Sequence, residues 1–141
     1  MEMNVSTIIN RSVEVVFAYV SDVSNDAQWL TGIDKSWLDP GETMGLGVTG
    51  HSQAGEMEIS WRVDKFVAGE CIEWELLDRP FERRGGYHLK PVQGGTEITL
   101  LVEMEPVGVY KLLGPLAGWL GRRRNRVDAE RLKEVLESRN E

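Results

Sequence analysis

Polar and apolar positions alternate most regularly in the middle of the chain. Met57, Ile59, Trp61 and Val63 alternate with Glu58, Ser60, Arg62 and Asp64, which predicts a strand with one face on a core and one in water. Ile72, Trp74 and Leu76 repeat the pattern against Glu73 and Glu75. Ile98, Leu100, Val102 and Met104 do so against Glu97, Thr99, Glu103 and Glu105, with Leu101 the one apolar residue on the wet face. Turn chemistry separates these runs at Asp39-Pro40-Gly41, Gln53-Ala54-Gly55, Val67-Ala68-Gly69 and Gln93-Gly94-Gly95. With a first strand over Met3–Ile9, the count is about seven strands, mostly joined as hairpins in an antiparallel meander.

Two regions read as helical. Ser12 stands where an N-cap belongs and Glu14 falls in the first turn, ahead of Val13–Val20. The β-branched residues of that run also suit a buried strand. Ser21-Asp22 and Ser24-Asn25-Asp26 supply stop and restart signals, giving two short helices that end near Trp29. Near the other end, Val109, Leu112, Leu113, Leu116, Trp119 and Leu120 recur at helical spacing, as do Val127, Leu132, Val135 and Leu136. Pro115 is expected to kink this element or to begin a helix.

This order of elements predicts an α+β fold, a curved seven-stranded antiparallel sheet wrapped around a long C-terminal helix, with two short helices between strands 1 and 2. The sheet's apolar face needs a cover, and only the C-terminal helix is long enough to supply it. A curved sheet and a straight helix diverge at mid-span, so a cavity is expected between them. No repeat or linker interrupts the chain, so its 141 residues are read as one domain, 1–141.

Charge and cysteine content narrow the function. The 16 basic and 23 acidic residues leave a net charge of −7, which disfavours nucleic acid as a partner. One cysteine, Cys71, allows neither an internal disulfide nor a thiol-rich metal site. The first residues lack the basic and apolar regions of a secretory signal, and no run reaches the roughly 20 apolar residues that cross a bilayer. A cytoplasmic protein without stable membrane insertion is expected. Nothing in the pattern points to a particular oligomeric state.

The segment Thr7-Ile8-Ile9-Asn10-Arg11-Ser12-Val13-Glu14-Val15-Val16-Phe17-Ala18-Tyr19-Val20-Ser21-Asp22, followed by Trp29, resembles the opening of the START-like helix-grip (SRPBCC) superfamily, in its polyketide cyclase/dehydrase-type branch. Gly94-Gly95-Thr96-Glu97-Ile98-Thr99 resembles the last hairpin of that branch, and Asp128-Ala129-Glu130-Arg131-Leu132-Lys133 its closing helix. The resemblance implies the helix-grip fold over nearly the whole chain. It implies no single activity, since the superfamily spans lipid carriers, receptors, aromatase/cyclases and chaperone activators.

The ligand-binding candidates are the residues of the apolar faces, Ile59, Trp61, Val63, Trp74, Tyr87, Leu89, Leu100 and Val102, with Trp119 from the helix. The aromatic rings would stack on a planar or lipidic ligand and the Tyr87 hydroxyl would orient its polar end; the plainer alternative is that these residues fill the core. Strand parity sends His51 and His88 outward, away from catalysis, and places Cys71 at the periphery with Glu73 and Glu75. Parity also puts Arg83 on the Tyr87 side, at the pocket mouth. Two histidines without an acidic cluster make no metal site, and the glycine-bearing stretches Gly45-Leu46-Gly47 and Gly114–Gly118 lack the context of a phosphate loop. No cofactor and no catalytic residue is assigned. Arg122-Arg123-Arg124-Asn125-Arg126 reads as a solvated band or as a contact for an anionic surface or ligand carboxylate.

Three functions follow from these readings. The first is a non-catalytic binder of a small apolar molecule such as a lipid or an aromatic, polyketide-like compound, favoured because the apolar face carries no inward titratable constellation. The second is an aromatase/cyclase-type enzyme that works by positioning its substrate. The third is a module that acts through its surface.

Overall fold

A computed structural model describes residues 2–78, 82–105 and 114–139. In chain order the elements are β1 (Val5–Ile9), α1 (Val13–Ser21), a 3-10 turn (Val23–Asn25), α2 (Asp26–Trp29), β2 (Lys35–Leu38), β3 (Thr49–Ala54), β4 (Met57–Val67), β5 (Cys71–Leu76), β6 (Glu82–Val92), β7 (Gly95–Met104) and α3 (Gly114–Glu137). The seven strands form one curved antiparallel sheet in the order β1-β7-β6-β5-β4-β3-β2. This is the helix-grip architecture.

Local chemistry accounts for most boundaries. The Ser12 side chain caps α1 by accepting from the Val15 amide at 3.3 Å, relieving one of the unpaired N–H groups at the helix start. Gly55 and Gly69 turn the β3–β4 and β4–β5 hairpins with φ of +64° and +77°, a region in which a side chain is strained. Pro115 lies in the first turn of α3, where its missing N–H removes no helical bond. The expected residues 109–113 of this helix lie outside the described residues.

β1 is an edge strand, and its outward carbonyls need partners. Two side chains of α3 provide them, Arg126 donating to Ser6 O at 3.0 Å and Lys133 Nζ to Ile8 O at 2.6 Å, and Asn125 Nδ2 donates to Met3 O, just ahead of the strand, at 2.7 Å. The helix is thereby bound to the sheet margin while its inner side packs on the sheet.

The core is solid at one end of this sandwich. Val16 of α1, Leu89 and Ile98 of the sheet, and Ala129, Leu132 and Leu136 of α3 form one buried cluster. Trp61, Val63 and Ile72 form a second, covered by Phe17 and Phe66. The inward stripe of α3 changes character towards its start: Leu136, Leu132 and Ala129 give way to Asp128, Asn125, Gly121 and Gly118. A Cβ at Gly121 would fall on the Met3 thioether, so the end of that side chain occupies the space beside the helix there. The apolar residues read as its core stripe, Leu116, Trp119, Leu120 and Val127, are instead exposed. No helix among the described residues is long and apolar enough to cross a membrane.

Candidate functional site

Between the sheet and the early part of α3 lies a cavity of about 160 Å³. Its walls depend on two tryptophans lying flat on the sheet. Trp61 of β4 faces Gly50 of β3 across the strand pair, and Trp74 of β5 faces Gly85 of β6. A Cβ at Gly50 would penetrate the Trp61 ring, and one at Gly85 would fall 2.7 Å from Trp74 Nε1. Glycine at these positions lets each indole cover backbone rather than project into the space that becomes the cavity. The rings continue into Tyr87 and Trp29, with centroids 6.2 Å apart for Trp61–Trp74, 5.0 Å for Trp74–Tyr87 and 5.6 Å for Tyr87–Trp29.

Of the residues expected to meet a ligand, Ile59, Trp61, Trp74, Tyr87, Leu100 and Val102 line this cavity. Val63 and Leu89 do not; they are one inward position further along β4 and β6, where α1 and the later turns of α3 close the core. Trp119 also does not. It is 54% exposed on the side of α3 away from the sheet, beneath the Arg123 guanidinium at 5.5 Å. Thirteen residues separate Trp119 from inward-facing Leu132, roughly 220° around a helix of 3.6 residues per turn, which places them on opposing faces.

The cavity also contains titratable groups that the strand pattern does not reveal. Asp26, the first residue of α2, is 6% exposed and lines the cavity. Burial pushes its carboxyl up from 3.8 to about 7; the Ser36 hydroxyl bond opposes this and the charge of Asp22 adds to it. Ser36 Oγ lies 2.8 Å from Ser52 Oγ, which accepts from Trp61 Nε1 at 3.1 Å. Asp128 of α3 is the second buried carboxylate, accepting from the Thr31 amide at 3.0 Å and from the Thr31 hydroxyl. Burial raises its pKa, against the Thr31 bonds and the charges of Arg124 and Arg131. Tyr87 lies within reach of both. Its phenol is raised well above 10, chiefly by burial and further by Asp26 and Asp128. The expectation of an apolar face without inward titratable groups is therefore corrected: Asp26, Asp128 and Tyr87 converge on one space.

Four readings of the flanking residues are settled by the strand register. A shift between Glu82 and Arg84 turns Glu82 towards the cavity and Arg83 outward, where it pairs with Glu105 at 2.8 Å, while Arg84 stays opposite Glu75 and Glu103 on the wet face and reaches only the cavity's rim. Arg84 is committed to Asp64 and to Glu73, the latter at 3.3 Å. His88 lies outside the cavity with Nε2 2.6 Å from Glu73, and His51 lies outside it with Nε2 2.7 Å from Asp39 and its ring stacked on Trp37. Cys71 is not peripheral; it is buried between its cross-strand partners Val67 and His88. No group of three or more potential metal ligands occurs among the described residues.

A sheet closed over a helix, with an aromatic cavity at its open end, defines a helix-grip protein with a ligand-sized interior. Residues 1–137 match the family model described as polyketide cyclase/dehydrase and lipid transport, and the chain belongs to that family. Solved structures share the fold. Protein BH1534 from Bacillus halodurans superposes with a TM-score of 0.77 at 17% identity, over 97% of each chain. TTHA0849 from Thermus thermophilus gives 0.76 at 16% identity, over 98% of each. DynU16, from the dynemicin biosynthetic locus, gives 0.68 at 21% identity, over 97% of this chain and 47% of its own. No curated protein matches the sequence.

Proposed function

We propose that the protein binds a small, largely apolar molecule in the cavity between its sheet and α3, carrying or sequestering it. The observation that carries this reading is the cavity itself: about 160 Å³ walled by Trp61, Trp74, Tyr87 and aliphatic residues, beside a core that is otherwise closely packed. Apolar cavities of about 150 Å³ hold a benzene-sized guest, so one or two rings or a short branched chain suit the space. Family membership is consistent with this, as its description includes lipid transport.

Asp26 and Tyr87 support a second reading, an aromatase/cyclase-type enzyme. A carboxyl that titrates near neutrality beside a positioned substrate is suited to proton transfer. Native mass spectrometry of freshly purified protein tests the binding proposal, alongside a Leu100→Trp variant that fills the cavity. Wild type is expected to carry an added mass that is lost on denaturation, and the folded variant to lack it. The same added mass on the folded variant would place the ligand elsewhere and overturn the proposal. So would a bare wild-type mass together with no calorimetric binding of 2-naphthylmethanol.

A further inference from the structure

The cavity has a carboxylate that no cation among the described residues balances. Asp26 is buried, and no lysine, arginine or histidine among the described residues pairs with it. The groups facing it are Asp22 from its own segment, Tyr19 of α1, Ser36 of β2 and Tyr87 of β6, none of them cationic. From α3, Asp128 adds a second carboxylate to the same space. The cavity's arginines are engaged or peripheral: Arg84 bonds Asp64 and Glu73, and Arg124 is exposed beside Asp128.

The hydrogen bonds around Asp26 point one way. If Ser36 donates to the carboxylate, Ser52 donates to Ser36 and the Trp61 indole donates to Ser52, so each donor in the row is used. In the reverse direction Asp26 must be protonated, and the Ser52 proton has no acceptor among the described residues. The row can thus aim its donors at Asp26, each polarised by the next, and so assists the carboxylate when it is ionised. An ionised carboxylate in an apolar space is unfavourable until a cation meets it. The surrounding walls are the faces and edges of Trp61, Trp74 and Tyr87, surfaces that themselves attract cations.

We propose that the cavity takes a ligand with an aromatic or other apolar body and a protonated amine, the ammonium lying against Asp26. This inference rests on the cavity being the binding site and adds the charge of what enters it. An anionic ligand would meet two carboxylates; a neutral one would leave Asp26 without a partner.

Isothermal titration calorimetry on the full chain separates the cases, using 2-naphthylmethylamine, 2-naphthylmethanol and 2-naphthoate. At pH 8 the amine is expected to bind at least tenfold more tightly than the alcohol, and the naphthoate more weakly than either. At pH 5.5 the amine's advantage should shrink several-fold as Asp26 takes up a proton. Asp26→Asn should abolish the advantage, so that the amine binds this variant no more tightly than the alcohol does. Ser36→Ala keeps the carboxylate, breaks the donor row and should reduce the advantage several-fold, which provides a second variant if the first fails to fold. Alcohol or naphthoate binding as tightly as the amine would overturn the inference while leaving the cavity proposal standing. So would an amine preference that survives in folded Asp26→Asn. If none of the three probes binds, the inference falls, and the cavity proposal falls with it where the purified protein also carries no added mass.

Discussion

Replacing Asp26 with asparagine should make the protein more stable, and increasingly so as the pH rises. Asparagine keeps the shape and the bond to Ser36 but has no charge to bury. In the wild type, the folded state holds the Asp26 proton until about pH 7, whereas the unfolded chain releases it near 3.8. The folded pKa is raised, so stability is greatest below the unfolded value and is lost as pH climbs to the folded one. Each pKa unit is worth about 1.4 kcal/mol. The penalty is therefore about 2 kcal/mol at pH 5 and reaches about 4 kcal/mol by pH 8. The wild-type deficit relative to Asp26→Asn should widen by about 2–3 kcal/mol over this interval, roughly 8 °C in Tm for a chain of this length. Urea melts of both proteins at pH 5, 6, 7 and 8 measure it, and taking the difference cancels the titration of every other group. A difference that stays flat from pH 5 to 8 would refute the reasoning, since it would mean that Asp26 is ionised in both states throughout.

Gly85→Ala should lower stability by about 1–3 kcal/mol, because the new methyl group meets the Trp74 ring at 2.7 Å and the indole must move. The check is a lower urea midpoint with an unchanged slope, accompanied by weaker naphthylmethanol binding as Trp74 enters the cavity. Leu132→Ala, at a fully buried position on the inward side of α3, should cost about 2–5 kcal/mol. Trp119→Ala, on the exposed side of the same helix, should stay within about 0.5 kcal/mol of wild type; parity of the two losses in chemical denaturation would mean that α3 is rotated from the orientation described.

The strands were legible because period-two alternation is a direct record of which face is wet: Met57 to Val63 and Ile98 to Met104 lie in β4 and β7 where the pattern puts them. Ser12 was legible for a similarly local reason, since a cap acts on residues three positions away. The site was legible only on its apolar side. Asp26 reads in sequence as part of a polar restart signal, Ser24-Asn25-Asp26, and its burial depends on Ser36 of β2, ten residues on, and on Tyr87 of β6, sixty-one residues on. Asp128 is hidden by the same logic, as its partner Thr31 is 97 residues distant. Trp119 falls outside the site because hydrophobicity does not mark the inner stripe of α3 near its start. There the helix meets Met3, just ahead of β1, through Gly121 and Asn125, a small and a hydrogen-bonding residue that no hydropathy pattern singles out. Arg83 turns outward and Glu82 inward because one extra residue between Glu82 and Arg84 inverts the faces of the strand ahead of it.

These departures share a physical origin, and it bears on what the cavity is for. A helix-grip protein needing only a stable interior would continue the Leu136–Leu132–Ala129 stripe towards the start of α3 and fill the space over Trp61 and Trp74. Instead the stripe ends at a buried carboxylate, a second faces it from α2, and glycines hold two indoles back against the sheet. Each of these choices weakens the free protein: one carboxyl is raised to about 7 by burial, and the empty space forfeits packing contacts. A molecule that fills the volume recovers the packing, and one that also brings a positive charge recovers the electrostatic part. The stability gained on binding and the pH at which it is gained are thus two readings of one arrangement. A cationic naphthyl probe should raise Tm more at pH 8 than at pH 5.5, whereas the neutral alcohol should raise it equally at both.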